Sequence, residues 1–71
     1  MAKRRVTLTF SEEVVAQPII YNLGQQFKVV TNIRQANLTE AGGWIEVELE
    51  GEKQNIEDGI AWAISRGVRV D

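Results

Sequence analysis

In "RRVTLTF" the side chains alternate, with Val6, Leu8 and Phe10 on one side and Arg5, Thr7 and Thr9 on the other. A period of two residues is that of a half-buried strand, so the pattern predicts the first strand here. The period then lengthens. Across "PIIYNLGQQF", Ile19, Leu23 and Phe27 recur every four residues and mark the buried stripe of a helix of about ten residues. Pro18 fixes its start. Proline inside a helix removes a hydrogen bond and clashes with the preceding turn, whereas at the first helical position its φ is already helical. "SEEVVAQ" is accordingly expected as a connection.

"KVVTNIRQANL" reads as a second strand, less cleanly patterned, as an edge strand or one with a functional face tends to be. "WIEVELE" has the sharpest alternation in the chain, with Ile45, Val47 and Leu49 on one side and Trp44, Glu46, Glu48 and Glu50 on the other. Gly42 and Gly43 can take positive φ without strain and are expected to close the hairpin between these strands. "EKQNIEDGIAWAISRG" gathers Ile56, Ile60, Ala63 and Ile64 on one helical face, with acids near its start, Arg66 at its end and Gly67 as the stop. "VRV" completes the order strand, helix, strand, strand, helix, strand.

Two helices with one apolar stripe each and four strands with one apolar face each close a single core only when both helices lie on the same side of the sheet. Right-handed crossovers then give an α+β, ferredoxin-like split βαβ arrangement, with a four-stranded sheet in the order 4-1-3-2. The second strand is an edge in that order, and the third lies inside, where it is expected parallel to the first. The other sheet face stays open. It presents Arg5, Thr7, Thr9, Trp44, Glu46, Glu48, Glu50 and one side of the second strand.

Composition narrows the chemistry. At 71 residues, with 44% hydrophobic and 25% charged side chains, the chain has room for one small globular domain. It has no Cys and no His, which removes disulfides, thiolate zinc and iron–sulfur sites, thiol nucleophiles and histidine acid–base pairs, and no cofactor is expected. A net charge of −2 supplies no field to hold nucleic acid, and Lys3, Arg4 and Arg5 read as the solvated start of a strand. No apolar run is long enough for a membrane span, and "MAKRRVTLTF" lacks the apolar middle of a signal peptide. A cytoplasmic protein with no membrane insertion is expected.

Two residues stand out. The amide of Asn32 both donates and accepts, which suits the zwitterionic head of an amino acid; the plainer reading is a polar residue on a loose edge strand. Trp44, beside charged neighbours on an uncovered face, is placed to anchor a pocket or a dimer interface. Whether the two meet depends on the hairpin register, which the second strand patterns too weakly to decide. Trp62 is expected to pack at the flank of its helix. The row Glu46, Glu48, Glu50 could suggest a cation site or acid–base work, but alternate positions on one strand stand about 7 Å apart. It reads as solvated, or as facing Arg5 and Arg69 across neighbouring strands.

The run of "PII", "F.V..NI", "GG.IEVEL.G" and "I..GIAWAISRGVRV", from Phe10 to Val70, resembles the NIL domain, a ligand-binding module of methionine-importer ABC ATPases. The resemblance implies a fold related to amino-acid-sensing ACT domains, a homodimer built through the sheets, and a free amino acid, methionine in the importers, bound near the interface. Carried over by position, Asn32 falls on the motif asparagine at the ligand site and Ile33 on the residue after it, while Arg34 replaces the leucine of the motif name. With Trp44, these make up the expected ligand site. No ATPase accompanies the domain, so regulation would act on a partner such as a transporter ATPase or a metabolic enzyme. A sensor of this kind ranks first. A structural adaptor binding a protein through the open face or the strand edge ranks second. An enzyme of acylphosphatase type ranks last, because "SEEVVAQ" puts acids where phosphate would need cations. The chain is therefore not expected to be an enzyme.

Overall fold

The computed structural model describes residues 1–71. Strand β1 spans Ala2–Phe10, the single-turn helix α1 Glu12–Val15, and α2 Ile19–Phe27. The hairpin of β2 (Val30–Thr39) and β3 (Gly42–Gly51) follows, then α3 (Lys53–Ser65) and β4 (Arg69–Val70). The strands lie in the order β2-β3-β1-β4, which is 4-1-3-2 read from the other edge, and the fold is ferredoxin-like.

One expected direction is corrected: β3 runs antiparallel to β1, not parallel. A helical crossover returns the chain so that β2 runs the same way as β1, and the hairpin then reverses it. Every neighbouring pair in the sheet is antiparallel.

The alternation in β1 and β3 sorts the residues as expected. Val6, Leu8 and Phe10 from β1 and Ile45, Val47 and Leu49 from β3 are buried against the helices, Val47 and Leu49 completely. Burying a side chain of this kind stabilises by about 1.5–3 kcal/mol, so this inner pair of strands supplies much of the core. Ile19 and Leu23 face it from α2, and Ile56 and Ala63 from α3. Ile64 does not join them and is 55% exposed. At about 100° per residue, the buried Gly59 shifts the centre of the α3 stripe away from Ile64. Trp62, on the other flank, rests against Phe27 with ring centroids 5.6 Å apart, and Arg66 lies over its indole.

Two local expectations change. Part of "SEEVVAQ" is helical: the Ser11 carbonyl accepts from the N–H groups of Val14 and Val15, at 3.1 and 2.9 Å, and Val14 is buried in the core. The chain then breaks before α2, where Pro18 has no N–H to continue the ladder. The hairpin turn is Glu40-Ala41 rather than the glycine pair, since Thr39 stands opposite Gly42. The glycines instead open β3 with φ of 115° and 145°, and a Cβ on Gly43 would collide with the Asn37 carbonyl.

Candidate functional site

The helices cover one face of the sheet and leave the other bare, so polar side chains can gather there at no cost in buried charge. Glu48 is the centre of such a group. Its β3 position stands opposite Arg5 on β1 and Asn32 on β2, and directly opposed residues share a face. Arg34 Nη2 donates to Glu48 Oε1 at 3.1 Å, and Arg5 Nη2 lies 3.8 Å from Glu48 Oε2. The Glu48 side chain is only 18% exposed between arginines that are 48% and 55% exposed. It sits at the floor of the group and they form its rim.

Arg34 reaches this position because of a β-bulge. The register steps from Ile33↔Val47 to Gln35↔Glu46, which leaves Arg34 as the extra residue of β2. The expected site residues therefore divide. Arg34 bonds to Glu48, and Asn32 stands opposite it in register. Ile33, opposite Val47, has its place on the helix-side face, where it is 54% exposed at the sheet edge. Trp44 shares the open face but stands between Thr9 and Asn37, four positions along β3 from Glu48. At about 3.4 Å per residue that separates it from Asn32, on the neighbouring strand, by roughly 14 Å. The register question is thus answered: Asn32 and Trp44 do not meet in one chain.

Glu48 and Arg5 were readable only as a surface ion pair. Nothing in the spacing of the sequence indicated that a bulge would bring a second arginine to the same carboxylate. Arg69, the other cation expected to face the glutamate row, pairs instead with Asp71 at 3.0 Å. The glutamates do not converge, and no group of three His, Cys, Asp or Glu side chains is arranged to hold a metal ion.

The largest opening lies elsewhere. A groove of about 460 Å³ runs between the α1 end and the β2–β3 turn, lined by Glu12, Val15, Ala16, Leu38, Thr39 and Glu40. Its size suits a small ligand, but its chemistry is one-sided. Two carboxylates stand at the rim, and the Thr39 hydroxyl is engaged in the turn, donating to the Gly42 carbonyl and accepting from the Ala41 N–H. A zwitterion needs donors for its carboxylate. The Glu48 group has them and this groove does not.

No helix is long and apolar enough to cross a membrane. Among solved structures, the C-terminal domain of an ABC transporter ATP-binding protein from Enterococcus faecalis is similar, with 29% identity and a TM-score of 0.87 over 96% of this chain and 80% of that one. No curated protein matches. The family model described as the NIL domain matches residues 4–71, which takes in all four strands and all three helices but for the first residues of β1. The chain belongs to the NIL domain family.

Proposed function

We propose that this domain is a regulatory, amino-acid-sensing module without catalytic activity. It works in the cytoplasm as a homodimer, takes up a free amino acid between two open sheet faces, and passes the occupied state to a partner such as a transporter ATPase or a metabolic enzyme. One observation carries this reading: the group around Glu48 on an uncovered face. Arg5 and Arg34 offer guanidinium donors for an α-carboxylate, Glu48 offers acceptors for an α-ammonium, and Asn32 offers both. The group lies on a flat sheet, so a second copy is the cover that would exclude water. Methionine is the first ligand to test, because it is the ligand that membership of the NIL domain family implies.

The test is a thermal-shift screen over the twenty amino acids, run beside sedimentation velocity. A ligand at 100 times its Kd adds about 2.7 kcal/mol, a rise on the order of 10 °C in a domain this small. Glu48→Gln and Asn32→Ala should each abolish the shift while leaving the ligand-free melt within a few degrees. The reading fails if no amino acid shifts the melt and the protein stays monomeric. The free edge of β2 favours a second reading, an adaptor that adds a partner strand and binds no small ligand.

A further inference from the structure

The groove beside the β2–β3 turn takes no part in the Glu48 group, and it is built by close backbone approach. Gly42 lets the base of the hairpin press on the start of α1, since a Cβ there would lie 2.5 Å from the Phe10 carbonyl and 3.3 Å from the Glu12 nitrogen. The Thr39 hydroxyl, bonded to the Gly42 carbonyl and the Ala41 N–H, fixes the turn across the groove from α1. Both walls are in place before anything binds, which lowers the ordering cost of an occupant.

The groove also extends beyond its widest part. A second cavity of about 150 Å³ is lined by Pro18, Ile20 and Tyr21, with the buried Phe10 and Ile45 at its floor and Gln17 as its one polar side chain. Val15 and Leu38 line both cavities, so the two form one channel, with carboxylates at one end and an apolar slot at the other. Glu12 and Glu40 stand at the charged end. They take part in none of the three ion pairs of the structure, and no Lys or Arg lines either cavity. At the apolar end Tyr21 is 66% exposed and Leu38 42%, so large apolar groups lie uncovered beside the slot. Phe10 and Gly43 mark this end of the sheet, while Ala2 and Asp71, which bonds to Thr7, lie toward the other.

We propose that this groove docks a basic segment of a partner protein, in which a Lys or Arg lies two residues from a bulky aliphatic side chain. Side chains two apart in an extended chain point the same way and stand about 7 Å apart. The aliphatic group enters the slot beside Tyr21 and Leu38, and the cation reaches Glu12 and Glu40. A free amino acid is excluded, because its carboxylate would meet two carboxylates and no donor. Phe10, Leu38 and Ile45 belong to the helix-side face, so a dimer formed through the open faces leaves the groove uncovered. It shares no residue with the Glu48 group, and this proposal holds whether or not an amino acid binds there.

The experiment is an amide NMR titration of the 15N-labelled protein with the capped peptide Ac-Leu-Ser-Lys-Ser-Leu-NH2, beside Ac-Leu-Ser-Glu-Ser-Leu-NH2 and free n-pentylamine. With the lysine peptide the amides of Glu12, Val15, Tyr21, Leu38 and Glu40 should shift, and both controls should bind at least about tenfold more weakly. The paired change Glu12→Gln, Glu40→Gln should weaken the lysine peptide about tenfold, and about 1 M salt should do the same by screening. Leu38→Ser, at an exposed position, should also weaken it about tenfold with the spectrum otherwise intact. Equal binding of the glutamate peptide would reduce the groove to a nonspecific apolar patch, and equal binding of pentylamine would make it a small-amine site; either result overturns the proposal. Shifts at the groove on raising the protein concentration alone would seat a second copy there and overturn it too. So would shifts centred on Asn32 and Glu48, undiminished binding to the variants, or an unchanged spectrum.

Discussion

Gly24 and Gly59 both sit inside helices, where alanine normally gains about 0.5–1 kcal/mol, yet they should respond with opposite signs. A Cβ on Gly24 would meet nothing closer than the Val29 carbonyl at 3.4 Å, so Gly24→Ala should raise Tm by about 2–8 °C in a calorimetric scan. A Cβ on Gly59 would lie 2.7 Å from Leu23 Cδ2 and 3.6 Å from Phe27, and Leu23, 1% exposed, would have to shift within the core. Overpacking of this kind costs about 1–3 kcal/mol, which outweighs the helical gain, so Gly59→Ala should lower Tm by several degrees. Sequence alone makes the two glycines look alike. Only the closeness of α2 to α3 separates them. Lys28 was equally hidden: it ends α2 at φ 57° and ψ 43°, a left-handed conformation that Gly takes freely, so Lys28→Gly should stabilise by up to about 1 kcal/mol in the same scan.

At the level of elements, the bulge of β2 connects the register to the site. Deleting Arg34 would leave every other β2–β3 pair in place, because it is the one residue without an opposite number. The variant should fold with an unchanged amide pattern in the helices but present a straighter edge. Greater self-association in sedimentation velocity is the expected outcome, since bulges blunt edge pairing. This element also marks where the sequence stopped being readable. β3 could be read almost residue by residue, since its strict alternation separates a buried face from a wet one. β2 could be recognised as an edge strand, but its mixed pattern concealed the extra residue, and with it the meeting of Arg34 with Glu48. The turn went to the glycines because their freedom of φ was visible, while their actual use, close approach to the Asn37 and Phe10 backbone, depends on neighbours distant in sequence. The short α1 was missed because a single turn leaves no period to detect; its Val14 is buried in the core and Val15 packs half-buried against it.

For the whole molecule, the asymmetry of the sheet matters most: one face is sealed by the helices, and the other carries charges around a single large aromatic. Trp44 is 36% exposed there, and in the proposed homodimer it is a contact residue. Trp44→Lys should shift sedimentation toward the monomer while moving Tm by no more than a few degrees, because the residue faces away from the core. A dimer that persists in this variant would place the interface elsewhere. The same asymmetry gives the protein two built-in optical reporters. Trp62, wedged between Phe27 and Arg66 on the helix side, senses whether the two helices stay together, while Trp44 senses only what covers the sheet. With Trp62→Phe, emission reports docking on the sheet face, and with Trp44→Phe it reports unfolding, so assembly and folding can be followed separately by fluorescence in one small protein.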